Sequence, residues 1–303
     1  MYVNIKHKVI CIIHKIGFYF YSIKYYLEDY KDKNFLNAII DCFKIFKKDE
    51  YYYEYLEIPV TSSCNLKCKG CANLIPCYGK GRDYDLKILK NSINMFLKCI
   101  NNIVIIRLLG GEPFLSDNLY YIINILLNSN KVQRVEIVSN GTIVPRDKKL
   151  ISILKESRVI VSISKYPNID IDSLINFLKD NSIKYKVVKR KYWYNYGTAV
   201  NQNKNEKELI KQFANCNNIC RSMINGQIHF CPRSSHGTDL GIITNNRDDY
   251  IDILDKKLSI NDKKVLISNF NNKKYIKACN YCNYGTKKCS KILVAEQIRN
   301  KKE

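Results

Sequence analysis

The stretch that most constrains this chain is Cys64-Asn65-Leu66-Lys67-Cys68-Lys69-Gly70-Cys71, three cysteines separated by three and then two residues. It follows an apolar, strand-like run, Leu56–Val60, and a polar turn, Thr61-Ser62-Ser63. Three thiolates in eight residues serve one of three ends: a metal ion, an iron–sulfur cluster, or a disulfide with one cysteine left over. A cubane 4Fe–4S cluster has four irons, normally matched by four cysteine thiolates. With three close by, one iron stays open to another ligand, which suits chemistry at that iron rather than plain electron transfer. The alternative is a zinc site that takes its fourth ligand from elsewhere in the chain.

A second signal sits at residues 110–113, Gly110-Gly111-Glu112-Pro113, directly after the apolar run Ile103–Leu109. Glycines let backbone approach a ligand closely and reach φ values closed to other residues. Pro113 restricts Glu112 to extended conformations. Strand patterns fall at 55–60, 102–109, 132–139, 158–164 and 183–189, with helical patterns at 85–100, 118–129, 147–157 and 171–181 between them. The first of these helices carries Leu86, Leu89, Ile93, Phe96 and Ile100 on one stripe. Such alternation predicts an α/β fold with a parallel sheet and right-handed crossovers. Ligands in such sheets bind at the C-terminal ends of the strands, where both motifs lie. The third strand runs into Ser139-Asn140-Gly141-Thr142, also a turn signal, and the fourth ends in Ser162-Ile163-Ser164. Residues 190–204, with the single tryptophan Trp193, read as a connector whose aromatics plug a loop or line a substrate cavity.

Further cysteines follow: Cys216, Cys220, Cys231, Cys279, Cys282 and Cys289. Asn225-Gly226 between apolar alternations predicts a hairpin. It would set Cys220 and Cys231 opposite each other at its open end. With the pair Cys279-x-x-Cys282 they make a four-thiolate site, for which Cys216 or Cys289 are substitutes and structural zinc is the rival occupant. Cys11, Cys42, Cys77 and Cys99 read as small apolar residues.

Composition narrows the class. The 13 cysteines cluster at short range, and residues 1–50 lack the apolar core and cleavage site of a signal peptide. A reducing, cytoplasmic setting with metal-bound thiolates is expected. The net charge of +22 accompanies Lys, Asn, Ile and Tyr spread throughout, without an RNA-binding signature; no nucleic-acid partner is expected. No apolar run reaches the length of a spanning helix. Ile5, Val9, Ile12, Ile13, Ile16 and Phe20 recur at helical spacing, and Leu36–Phe46 forms a second helical pattern. Residues 1–50 are therefore expected to be a helical N-terminal extension packed on the main domain, with membrane-surface contact as the alternative. The division expected is 1–50, a core at 51–204 and a small cysteine-rich domain at 205–303.

The cysteine loop and the GGEP segment, in this order and each after a strand, resemble the radical SAM superfamily. That resemblance implies a partial (β/α)6 TIM-like barrel. It implies a 4Fe–4S cluster on Cys64, Cys68 and Cys71, with S-adenosylmethionine on its open iron. Gly110, Gly111, Glu112 and Pro113 would hold the cofactor's amino group, and Ser139, Asn140 and Ser162 its ribose and carboxylate. The chain departs from the family at Gly70, where an aromatic often packs near the adenine. Gly226-Gln-Ile-His-Phe-Cys231 followed by a Cys-x-x-Cys resembles the C-terminal SPASM and twitch extensions of these enzymes, which implies a second 4Fe–4S cluster on Cys220, Cys231, Cys279 and Cys282. The segment 231–241 and the ending AEQ at 295–297 are similar to radical SAM proteins found near surface-polysaccharide or peptide-modification genes. The implied activity is hydrogen abstraction from a sugar or peptide, as an oxidoreductase or epimerase-type enzyme. The electron would come from a donor such as flavodoxin or ferredoxin. The rival class is a non-enzymatic zinc-binding structural protein, for which neither GGEP nor the strand–helix repeat is needed.

Overall fold

Each strand–helix window expected between residues 55 and 189 holds the element assigned to it. The computed structural model describes residues 52–298 apart from 217 and 219; the helical extension expected at 1–50 lies outside them. Strands β1 (Tyr52–Thr61), β2 (Asn102–Gly110), β3 (Val132–Ser139), β4 (Val159–Lys165) and β5 (Tyr185–Lys189) run parallel in sequence order. Between them lie helices α1 (Leu86–Cys99), α2 (Leu119–Leu127), α3 (Lys148–Leu154) and α4 (Asp172–Asp180). Asp85 and Asp147 start α1 and α3 by accepting hydrogen bonds from Ile88 N at 2.8 Å and Leu150 N at 2.7 Å. A cap of this kind contributes about 1 kcal/mol.

The two faces of the sheet differ. Leu56, Ile58, Val60, Ile106, Leu108, Val135 and Ile137 are buried in the same core as the α1 stripe Leu89, Ile93 and Phe96. Alternate positions put charge on the other face, because side chains in a strand alternate with a period of two. Glu57, Arg107 and Glu136 are register partners across β1, β2 and β3. Arg107 Nε donates to Glu136 Oε2 at 2.7 Å, and its Nη1 donates to the Tyr55 hydroxyl at 2.8 Å. The Tyr55 hydroxyl donates to Glu57 Oε1 at 2.5 Å, and Lys186 Nζ lies 2.5 Å from Glu136 Oε1. Burial pushes the Glu136 carboxyl up, but Arg107 and Lys186 outweigh it and hold the group below its ordinary range.

The sixth parallel strand of a (β/α)6 barrel is not found after β5 among the described residues. The short β6 (Trp193–Tyr194) leaves the sheet and pairs antiparallel with β10 (Lys291–Ile292). Its surroundings, KYWYNYG, have no run of alternating aliphatic residues to bury against a helix layer. On the opposite edge, β7 (Ser222–Ile224) runs parallel to β1, with Ser222 opposite Glu57. The expected hairpin joins β7 to β8 (Gln227–His229) through Asn225 and Gly226, at φ +50° and +80°. β9 (Tyr250–Asp252) completes the order β5-β4-β3-β2-β1-β7-β8-β9. The sheet is thus continuous across residue 204. Helices α5 (Glu206–Ala214), α6 (Pro232–Asp239) and α7 (Ile260–Asn269) complete the described fold. Among the described residues no helix is long and apolar enough to cross a membrane.

Candidate functional site

The cysteine loop leaves the C-terminal end of β1, and GGEP leaves the adjacent end of β2. Two backbone hydrogen bonds join them: Gly111 N to Thr61 O and Glu112 N to Ser63 O, both 2.8 Å. Gly110 lies at φ +141°, and a Cβ there would come within 2.0 Å of Thr61 O. At Gly111 a Cβ would lie 1.9 Å from Ser63 O and 3.0 Å from Cys64 Cβ. The close approach that both glycines permit is to the backbone leading into the cysteines. The space expected to admit a ligand at Gly111 is thus taken by the chain itself.

Glu112 is fully buried. Its Oε1 accepts from Phe114 N at 3.2 Å and from Ser139 Oγ at 2.8 Å, and its Oε2 from Asn140 N at 2.7 Å. Burial pushes its carboxyl up to about 7, against the lowering effect of these three donors. Glu112 therefore ties the end of β2 to the end of β3. Asn140 Nδ2 continues the link, donating to Asn65 Oδ1 at 3.0 Å and pointing at Cys64 Sγ from 3.8 Å. Asn65 Nδ2 in turn donates to Thr142 Oγ1 at 2.7 Å. Ser139 and Asn140 are thus brought to the cysteine loop. Ser162 is buried in β4 with Lys186 as its register partner, away from these contacts.

Cys68 is buried, and Cys64 and Cys71 are half-buried. Burial is the largest cause raising all three thiols, Cys64 up to about 11, and each also feels the charge of another member of the trio. Nitrogen donors already face the sulfurs: Leu66 N lies 3.4 Å from Cys64 Sγ, and Gln297 Nε2 lies 3.2 Å from Cys68 Sγ. Among the described residues no three His, Cys, Asp or Glu side chains converge on one point to hold a single metal ion. A cubane does not ask for that convergence, because each iron takes its own thiolate. Three clustered thiols with N–H donors aimed at sulfur fit such a group.

The second cysteine set divides between two surroundings. Cys279 is raised first by burial and then by the charges of Cys231, Cys216 and Cys282. Cys231 is pushed up to about 12 by burial, then by Cys282 and Cys216 despite Ser234 N. Cys220 faces elsewhere: its Sγ is 3.9 Å from the Tyr55 hydroxyl, and Glu57 and Arg107 are its charged neighbours. Cys220 packs beside Tyr55, and, two residues on, Ser222 of β7 pairs with Glu57 of β1.

The Cys279–Cys282 turn is clamped by residues that no local motif announces. Lys204 Nζ donates to Cys279 O at 2.9 Å and Cys282 O at 2.7 Å, and Gln212 Nε2 donates to Cys282 O at 2.8 Å. Asp249 accepts from Lys277 N at 2.6 Å and Ala278 N at 2.7 Å. Trp193 packs with Tyr166 at a ring separation of 5.5 Å, in the cluster that holds Cys68 and Cys71. It is the aromatic plug beneath a loop. A cavity of about 900 Å³ opens nearby, between Lys69, Ile169, Lys191 and Val294.

Residues 58–194 match the family model described as the radical SAM superfamily. The GTP 3′,8-cyclase of Alkaliphilus oremlandii (strain OhILAs) is 29% identical over 139 residues, 45% of this chain. The match spans only 38% of that relative's own length. Among solved structures, BtrN in complex with AdoMet and 2-DOIA is similar at a TM-score of 0.48 and 17% identity, over 76% of this chain and 93% of that one. Histidine-tagged anSMEcpe with bound AdoMet is similar at 0.46 and 13% identity, over 76% of this chain and 84% of that one. The matched stretch, residues 58–194, runs from within β1, ahead of the cysteine loop, past the end of β5 to β6.

Proposed function

We propose that this chain is a radical SAM enzyme acting on a sugar or peptide, with Cys64, Cys68 and Cys71 as the ligands of a 4Fe–4S cluster. One observation carries the reading: the GGEP segment is hydrogen-bonded onto the backbone that leads into the three cysteines, at the strand ends where α/β sheets bind ligands. When bound, the cluster and S-adenosylmethionine supply a one-electron cleavage of the sulfonium, giving a carbon radical that removes a hydrogen atom from the substrate. The chain's own residues bind, orient and exclude water. Gly110 and Gly111 press the loop into shape. Glu112 locks β2 to β3, and Asn140 Nδ2 points at Cys64 Sγ, where it would flank the group that Cys64 holds. Ser162 and Lys186 belong to the charged inner face, where a polar substrate would meet Arg107.

A second 4Fe–4S cluster is proposed on Cys231, Cys279, Cys282 and Cys216. Cys279 feels the charges of Cys231, Cys216 and Cys282, while Cys220 Sγ turns to the Tyr55 hydroxyl, which supports Cys216 in place of Cys220. The reductant is an external protein such as flavodoxin or ferredoxin, and the setting is cytoplasmic.

The test is anaerobic reconstitution with iron and sulfide, then dithionite and S-adenosylmethionine. Wild-type protein should form deoxyadenosine, and Cys64→Ala, Cys68→Ala and Cys71→Ala should each form none, because each removes an iron ligand. Wild-type rates in any of the three, or a colourless zinc-loaded wild type, would return the chain to the structural-zinc class.

A further inference from the structure

The last described segment of the chain returns to the cysteine loop. Cys68 and Gln297 form an antiparallel bridge. Lys69 N donates to Glu296 O at 2.6 Å, and Ile298 N donates to Lys67 O at 2.8 Å. Val294 and Ala295 are buried against Cys68, with Trp193 and Cys71 packed beside them. Gly70, at φ +73°, leaves the room that Ile292 fills: a Cβ there would be 2.4 Å from Ile292 Cδ1. Ala295 is held at φ +52°, a conformation that persists where its surroundings impose it.

The orientation of the Gln297 amide is settled by its partners. Lys67 N donates to Oε1 at 2.8 Å, so that atom is the carbonyl oxygen. The NH2 group then donates one hydrogen to Ala295 O at 2.7 Å and directs the other to Cys68 Sγ at 3.2 Å.

We infer that residues 291–298 are a clasp over the cysteine loop and that Gln297 is a positioning residue for Cys68, tuning the group that Cys68 holds through an N–H···S hydrogen bond. This rests on the proposed cluster at Cys64, Cys68 and Cys71. Hydrogen bonds to sulfur and solvent exposure are two of the levers that set cluster potentials. Reduction adds negative charge to the cluster and its thiolates, and an N–H donor stabilises that form. Gln297 should therefore raise the midpoint potential and ease delivery of the electron. The clasp also keeps the sulfur of Cys68 from water and from oxidants. Ile292 occupies the place beside Gly70 that a Cβ there would need.

The experiment follows the reduced-cluster paramagnetic signal that S-adenosylmethionine perturbs, in a potentiometric titration of the reconstituted full chain. Gln297→Leu should lower the midpoint potential, and Gln297→Glu should lower it further, since a carboxylate replaces the donor at nearly equal volume. Iron per chain should stay at the wild-type value in both. A second arm needs no cluster: in the metal-free reduced chain, Val294→Asp should unseat the clasp and raise alkylation of Cys68 by iodoacetamide roughly tenfold. The exposed Cys77 serves as the internal reference. Equal potentials in all three proteins at equal iron content would overturn the tuning role while leaving the cluster reading intact. Cys68 alkylated no faster in Val294→Asp than in wild type would overturn the clasp. A wild type with no S-adenosylmethionine-responsive signal would overturn the cluster reading itself, and with it the role of Gln297.

Discussion

A methyl group added at Gly111 would sit 1.9 Å from Ser63 O, and no rotamer can relieve a clash between two backbone atoms and a Cβ. Either GGEP or the run into Cys64 must move. Overpacking of this kind costs about 1–3 kcal/mol. Gly111→Ala should therefore lower the melting temperature of the metal-free chain and lower iron uptake together. A variant that melts like wild type, takes up full iron and only binds S-adenosylmethionine weakly would instead mean that Gly111 meets the ligand. Glu112 acts one step further on. Its three donors come from both sides of the β2–β3 junction, so its carboxylate is a strut rather than an exposed ligand for an ammonium group. Residue types announced a site here, yet the partner of each atom came only with the third dimension.

Among the elements, what could be read locally was found locally. Five strands and four helices between 52 and 189 follow apolar runs or helical patterns bounded by turn residues. The hairpin was legible because Asn-Gly selects its turn. Helix α6 was not: Pro232–Asp239 has no apolar stripe, and it starts on Pro232 with Cys231 as its cap, Sγ accepting from Ser234 N at 3.4 Å. The choice between Cys216 and Cys220 was also illegible, because it depends on β7 joining β1 from 165 residues away in sequence. That pairing makes a distinguishing prediction. Cys216→Ala should remove about four irons per chain, the content of one cubane, whereas Cys220→Ala should keep them. The opposite result would restore the hairpin-end pairing of Cys220 with Cys231.

At the scale of the whole molecule, the parallel strands and the C-terminal hairpin share one sheet, so the described fold should lose stability as a unit. Two buried imidazoles in its C-terminal part make that stability sensitive to acid. His229 is placed between Ser234 Oγ at 3.0 Å and Gln227 Oε1 at 3.2 Å, and His236 Nδ1 lies 2.9 Å from the Tyr78 hydroxyl. Burial drives both down to about 3 from 6.5. A depressed folded-state value means that the contribution is fully present above pH 6.5 and is lost as pH falls towards 3. Between pH 7 and pH 5 each imidazole should cost about 2 kcal/mol, from 1.36 kcal/mol per pH unit below its unfolded value. Glu112 works the other way: its folded value of about 7 lies above the unfolded 4.5, so its contribution grows as pH falls through the same window. That gain is about 2 kcal/mol, roughly half of the combined histidine loss. For the metal-free chain a single urea transition is expected, with a midpoint whose shift between pH 7 and pH 5 is set by the balance of this histidine loss against the gain from Glu112, Glu57 and Asp249, all three raised by burial. In the double variant His229→Gln with His236→Gln, the loss disappears and the Glu112 gain remains, so the midpoint should hold or rise over the same interval. A parallel fall in wild type and double variant would assign the acid sensitivity to other groups, and two separate transitions would show that the shared sheet does not couple its two ends.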